Sequence, residues 1–368
     1  MIENILAEFN TRGIFFYAES YGNGIINDTF LVEFNNNGFN EKYILRKINK
    51  FVFKDPETVI NNTVKTIEHI ANKLCLENIE EIKKHVLQFI KTKNSDYYIV
   101  DKDNNYWCVL IFIENTYTIE TVKTREQAYQ AAKTFGKFQK YLLDANLNDY
   151  KPTIKNFHNL QNRLILFEKA IRNNFDSRVA KVQQEINTIN SYQNLLTEFL
   201  QLTKDNKIPT RITHNDAKIN NVLMNKNTNK GQCVIDLDTV MPGKIMYDFG
   251  DMVRTFTNSV REDYLDLSKV SMRIQIFESL AEGYLEELAG ELSKIEIKTL
   301  VYGAILITYE QAIRYLTDYL IGDVYYITYF KNQNLTRTRV QLKLLKSILN
   351  QKEEMEKIIN KITSVNDK

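Results

Sequence analysis

The stretch Thr213-His214-Asn215-Asp216-Ala217-Lys218-Ile219-Asn220-Asn221-Val222-Leu223-Met224, followed by Val234-Ile235-Asp236-Leu237-Asp238-Thr239-Val240, decides how the chain is read. Its apolar runs are too short for helices and are broken by Asn, Asp and Gly, so they read as short strands and turns. Val234-Ile235-Asp236 is expected to be a strand ending in a carboxylate, with Asp238 two residues on along the same face. This non-helical insert spans Ile208 to Gly243, and the sequence around it is helical. Thr124 and Gln127 form a capping box ahead of the apolar face Ala128, Ala131, Phe135, Phe138 and Leu142. Residues 177–203, 268–289, 296–321 and 335–361 read as further amphipathic helices. Further upstream the signal changes. Ile14–Glu19, Asn27–Phe34 and Lys42–Ile48 are β-rich, and Asp55-Pro56 opens a helix carrying Val59, Thr63, Ile67 and Ile70. Tyr97–Val100 and Tyr106–Phe112 flank Asp101–Asn105 as a hairpin. The expected fold class is α+β, with a β-rich lobe over residues 1–115 and a mainly helical lobe over 116–368. The natural place for chemistry is the cleft between them.

Composition narrows the field without choosing a function. The 368 residues carry 48 Lys+Arg against 46 Asp+Glu, a net charge of +2, which argues against a global grip on nucleic acid or an anionic membrane. Cys75, Cys108 and Cys233 form no CxxC or His–Cys pattern, so neither a disulfide framework nor a zinc motif is expected. The start, Met1-Ile2-Glu3-Asn4, shows no signal peptide, and a reduced, cytoplasmic protein is expected. Residues 301–321 are largely apolar, yet Glu310, Arg314 and Asp318 fall at i, i+4 and i+8. That charged stripe suits a buried helix better than a membrane span. It is either a self-satisfied ladder or the wall of a polar cleft.

The insert contains the parts that phosphoryl transfer from ATP demands. A carboxylate must orient the attacking hydroxyl and take its proton, and a second carboxylate with an amide oxygen must hold Mg²⁺. A cation must also steady the transferring group. Asp216 is followed by Lys218 two residues on and by Asn221 five residues on, and Asp236 ends the next strand. The β-rich lobe offers a nucleotide cradle. Tyr21-Gly22-Asn23-Gly24 joins two strands, so its amides could approach phosphates at Gly22 and Gly24. Ile44 and Arg46 share one face of the third strand, as an apolar floor and a cation. Taken alone, Arg46 is as readily an exposed strand cation. Phe112-Ile113-Glu114 is expected to present its backbone to an adenine edge.

These residues resemble the aminoglycoside phosphotransferase/choline kinase-like superfamily, relatives of the protein kinases, from Gly22 to about Gln341. Three segments are similar to the bacterial N-acetylhexosamine 1-kinases: Tyr21–Phe30; Thr213–Leu223 with Val234–Arg254; and Arg314–Tyr326. The resemblance implies a bilobal protein-kinase-like fold. It also implies ATP- and Mg²⁺-dependent phosphorylation of the anomeric hydroxyl of N-acetylglucosamine or N-acetylgalactosamine, a small-molecule sugar. Asp216 resembles the catalytic base, Lys218 a contact to the γ-phosphate, and Asn221 with Asp236 the metal ligands. Asp238 either reaches the metal through water or is a turn carboxylate. Arg314 resembles a sugar-binding arginine; Asn220, Asp323 and Tyr325 join it in the substrate set. Asp248 and His214 are expected to brace the loop.

Several features depart from the protein-kinase pattern. Arg46 stands where protein kinases use Lys, and no glutamate partner is evident, since Glu57 and Glu68 bracket the expected turn while Asn62 holds its centre. Asp-Leu-Asp replaces Asp-Phe-Gly, which disfavours protein substrates. Other readings keep the fold but change the acceptor to choline, homoserine, an aminoglycoside or another sugar, or make the chain a non-catalytic binding module. Intact Asp216, Asn221 and Asp236 weigh against the last.

Overall fold

The computed structural model describes residues 2–22, 26–77, 79, 82–203 and 207–366. A short helix α1 (Ile2–Leu6) precedes the antiparallel strands β1 (Ile14–Ser20), β2 (Asp28–Asn36) and β3 (Phe39–Lys47). The β2–β3 turn places Asn37 at φ 52° and Gly38 at φ 89°, the left-handed pair that a tight Asn-Gly hairpin needs. Helix α2 (Pro56–Leu76) starts with Asp55 accepting from the Thr58 amide and with Pro56 in the first turn. Strands β4 (Phe89–Ile90), β5 (Ile99–Val100) and β6 (Tyr106–Ile111) complete a six-stranded sheet in the order β1-β2-β3-β6-β4, with β5 also on β6. Val32, Leu45, Trp107 and Val109 bury one face of this sheet against Leu6 and Phe9 of the N-terminal segment.

Next come β7 (Thr116–Tyr117), α3 (Arg125–Tyr141), α4 (Leu160–Asn173), α5 (Gln183–Ser191) and α6 (Asn194–Thr203). The insert supplies β8 (Arg211–Thr213), β9 (Val222–Asn225), β10 (Gly231–Val234) and β11 (Met241–Gly243). They form two small sheets, β10-β9-β7 and β11-β8. Helices α7 (Ile245–Phe256), α8 (Ile274–Leu288), α9 (Lys294–Ile321), α10 (Gln333–Asn350) and α11 (Lys352–Asn366) close the chain. The fold is mixed α/β, with a β-sheet N-terminal region and a helical C-terminal region.

Helix α9 is the axis of the helical region. Its Ser293–Glu296 capping box starts it, and Gly322, at φ 107°, ends it. It crosses α7 at glycine. A Cβ on Gly250 would lie 2.3 Å from the Gly303 carbonyl oxygen, and one on Gly303 would lie 2.0 Å from that of Met246. No helix among the described residues is long and apolar enough to cross a membrane.

Several expected boundaries move. The strand expected to end at Asp236 stops at Val234, because Asp236 takes a left-handed backbone (φ 61°) that breaks the pleat. Asp238 therefore sits in a 3₁₀ turn, off any strand face. The helix expected over 177–203 divides around Tyr192, and that over 335–361 divides at Gln351. Helices α4 and α7 and strand β4 are further elements not anticipated from the sequence, although Asn159 caps α4 by accepting from the Asn162 amide.

Candidate active site

Two loops build the centre, one between β8 and β9 and the other between β10 and β11. Because β8 pairs with β11, with Thr213 opposite Met241, residues 214–221 and 235–240 emerge side by side. Asp248, in the first turn of α7, accepts the His214 amide (2.8 Å) and the Asn215 amide (2.6 Å). Burial pushes its carboxyl up to about 6 against these donors and His214. The Asn215 side-chain amide donates to the Thr213, Thr239 and Met241 carbonyls, which ties the first loop to the second. His214 Nε2 donates to the Ile235 carbonyl (2.9 Å), and its Nδ1 accepts the Asp216 amide (3.3 Å). Those partners assign a ring hydrogen to Nε2.

The expected loop residues come together. Lys218 Nζ lies 3.0 Å from Asp216 Oδ2, and Asn221 Nδ2 donates to the Asp216 carbonyl (2.8 Å) and to Oδ2 (3.3 Å). Burial alone would raise the Asp216 carboxyl, but the Lys218 ammonium outweighs it and holds the group below the usual carboxylate range. Among the described residues no donor reaches Asn221 Oδ1. Asp236, whose side chain is 40% exposed, lines the cavity described below, whereas Asn221 is buried behind Asp216 and is absent from the cavity wall. A carboxylate and an amide oxygen suit a hard divalent cation such as Mg²⁺, so the donor set fits that ion.

Arg46 finds its partners across the cavity. NH1 and NH2 each bond one oxygen of Asp238 at 2.9 Å, and NH2 also reaches Asp236 Oδ1 at 3.0 Å. Asn27 donates to Asp238 as well, so both oxygens of that carboxylate are engaged by protein groups. On α2, Asn62 is turned away from Arg46. Its amide donates to the Lys151 and Val240 carbonyls at 2.8 and 2.9 Å. Ile44 lies on the same strand face as Arg46, half-buried against the main core. Beside Arg46, burial pushes the Cys108 thiol up to about 12.

The remaining nucleotide-side expectations fare unevenly. Gly22 lies in the β1–β2 turn at φ 80°, while Gly24 is outside the described residues. The Phe112 amide is already donated to the Lys42 carbonyl (3.2 Å), and the Ile113 carbonyl accepts from Thr116 (2.7 Å). The Phe112 ring packs edge-on against Tyr21. Of the three-residue segment, Glu114 alone keeps both backbone groups without a partner among the described residues.

A cavity of about 90 Å³ runs from Asp216, Lys218, Asp236 and Asp238 to Arg314, Tyr315, Tyr325 and Tyr326, with Ile26, Phe53 and Phe157 on its walls. Arg314 projects from α9 over the rings of Phe157 (4.9 Å) and Tyr326 (5.7 Å) and donates to Gln311 (3.1 Å). The stripe of Glu310, Arg314 and Asp318 is not a ladder. Glu310 faces His158 and Arg163, while Asp318 accepts the amides of Val324, Tyr325 and Tyr326 and the side chain of Asn334. Tyr325 lines the cavity, but Asp323 does not: Arg178 (2.5 Å) and Asn334 (3.0 Å) hold its carboxylate elsewhere. Asn220, in the 3₁₀ turn Ile219–Asn221, is also absent from the cavity wall. Arg254, Glu262 and Gln311 line the cavity without having been singled out; only their three-dimensional placement marks them.

Residues 18–269 match the model of the phosphotransferase enzyme family. Solved structures with the same fold include a microcompartment-associated aminopropanol kinase, at TM-score 0.65 and 13% identity over 96% of this chain and 98% of that one. An ethanolamine kinase from Plasmodium vivax matches at TM-score 0.52 and 17% identity, over 87% of this chain and 80% of that one. Spectinomycin phosphotransferase, solved with ADP and spectinomycin, matches at TM-score 0.52 and 14% identity, over 96% and 98%.

Proposed function

The chain belongs to the phosphotransferase enzyme family, and from that premise we propose that it transfers the γ-phosphoryl group of ATP to the anomeric 1-hydroxyl of an N-acetylhexosamine. The product would be the sugar 1-phosphate. One observation carries the choice of acceptor: the acids around the acceptor end of the cavity are already committed. Glu262 is bonded to Arg254 and to the Tyr315 hydroxyl, and Glu310 is held by His158 and Arg163. Asp318 accepts four donors. What faces the acceptor is a guanidinium, the amide of Gln311 and tyrosine rings, with Asp216 at the far end. A cationic amino alcohol or aminoglycoside would find no free counter-charge there. A neutral polyol with an acetamido carbonyl finds donors and aromatic faces.

In this reading Asp216 accepts a hydrogen bond from the anomeric hydroxyl and takes its proton as the oxygen attacks phosphorus. Lys218, held against Asp216, offers its remaining N–H groups to the phosphoryl oxygens. Arg46, its fork held by Asp238 and Asp236, would set a fixed positive charge beside the phosphates of the nucleotide. Asn221 and Asp236 would hold Mg²⁺, which when bound supplies charge neutralisation at the β- and γ-phosphates. The anomeric hydroxyl is more acidic than an ordinary alcohol, so orientation by Asp216 contributes more than its basicity.

The test is ADP release measured with N-acetylglucosamine, N-acetylgalactosamine, choline, homoserine and kanamycin. Turnover with the two acetamido sugars alone is expected. Faster turnover with any of the amines would overturn the acceptor assignment and leave the phosphotransferase reading intact.

A further inference from the structure

His158 belongs to none of the roles described above, yet it touches the centre of the site. It sits in the irregular segment before α4, with 7% of its side chain exposed, between the rings of Phe157 (4.6 Å) and Tyr247 (4.8 Å). Nε2 lies 2.9 Å from the carbonyl oxygen of Asn215. Nδ1 faces both oxygens of Glu310, at 3.3 and 3.4 Å. A carbonyl can only accept, so Nε2 carries the hydrogen. The Glu310 carboxylate, 2% exposed and also 3.7 Å from Arg163, keeps the ring turned that way.

The bonded carbonyl belongs to the peptide that leads into Asp216. Asn215 is in the left-handed region (φ 63°), which asparagine tolerates better than most side-chain-bearing residues, and its backbone groups are each held by a partner. Asp248 holds its amide and His158 its carbonyl. On the far side of the same peptide, the Asp216 amide is held by His214. The plane of the 215–216 peptide, and with it the direction in which Asp216 leaves the backbone, is therefore set from both sides. Glu310 lies one turn before Arg314 on the same face of α9. The helix that offers Arg314 to the acceptor thus also supports the ring that fixes the loop.

We propose that His158 is a positioning residue for Asp216, acting through its Nε2–H bond to the Asn215 carbonyl, with Glu310 holding the imidazole in register. This rests on the reading of Asp216 as the group that takes the acceptor's proton. Substitution by Gln keeps an amide N–H near the place of Nε2, whereas Asn keeps one near the place of Nδ1. In steady-state assays His158→Phe is expected to lose roughly 10- to 100-fold in kcat with the KM for ATP unchanged, the usual effect of misplacing a reacting group by a fraction of an ångström. His158→Gln should recover most of that loss, and His158→Asn should not. Equal recovery by Asn and Gln, or an unimpaired His158→Phe, would overturn the proposal.

Nitrogen-15 NMR of the native enzyme supplies a readout that needs no folded variant of His158. The chain has four histidines, so the signal is assigned by difference against substitutions of the other three. Nε2 should carry the ring hydrogen at neutral pH, as its bond to the Asn215 carbonyl requires; a bare Nε2 there would overturn the proposal. A fully active Asp216→Asn would remove the base itself, a failure told apart from that of His158 by an unchanged Nε2 signal.

Discussion

Lys218 and Asp216 are paired at 3.0 Å in the active loop, and two outcomes follow at the scale of that pair. If Asp216 takes the acceptor's proton, Asp216→Asn should keep nucleotide affinity in calorimetry and lose roughly 10²- to 10⁴-fold in turnover. A near-native rate would remove the assignment. The acid limb of kcat/KM should lie below the ordinary carboxylate range, since the Lys218 ammonium outweighs burial at Asp216. Lys218→Met removes the main opposition to burial, so the limb should move upward in pH; a limb that stays put would mean that Asp216 does not report on it. These neighbours were legible in the sequence because three or four residues of one loop leave little freedom over who meets whom. Arg46 was not. Its partner Asp238 is 192 residues away, and the acid expected from α2 is replaced by Asn62, whose amide is committed to the Lys151 and Val240 carbonyls. Asp323 was misplaced for a related reason. Nearness to Arg314 in sequence says nothing about which way a carboxylate faces once Gly322 has reversed the chain.

The connection after α9 shows how one element shapes another. Asp318 Oδ1 accepts the amides of Val324 (3.0 Å) and Tyr325 (2.8 Å), and Oδ2 that of Tyr326 (3.0 Å), so a single carboxylate folds the turn that brings two tyrosines to the cavity. Asp318→Ala leaves those donors without their partner, at a cost of about 1–3 kcal/mol for the buried ones. Amide exchange at residues 324–326 should quicken and the acceptor KM should rise, with the KM for ATP unchanged. Unaltered exchange would show that the turn holds itself. Elements announced by a local signal were read well: the capping box at Thr124–Gln127 and the hairpin around Asp101–Asn105 are both present. Those that end for reasons of backbone geometry were not. The apolar period runs straight through Tyr192 and Gln351, where the helices break, and nothing in the side-chain pattern marks the turn of the backbone.

Across the whole molecule, the crossing of α7 and α9 joins the loop that Asp248 braces to the helix that carries Glu310 and Arg314. Gly303→Ala would gain about 1 kcal/mol in helix propensity. Its new methyl group would stand 2.0 Å from the Met246 carbonyl oxygen, a backbone atom that cannot swing aside. Overpacking of this kind costs about 1–3 kcal/mol, so a lower melting temperature is expected; a higher one would mean that the helices part without penalty. The sheet reaches this helical block through the fork between Arg46 and Asp238, and that fork has a consequence for inheritance. Only 11% of the Arg46 side chain and 6% of the Asp238 side chain are exposed, so replacing Arg46 strands the buried Asp238 carboxylate, and replacing Asp238 leaves Arg46 with Asp236 as its one remaining acid. Positions 46 and 238 are therefore expected to vary as a pair down a lineage, while the outward turns of α2, relieved of supplying an acid, are expected to drift.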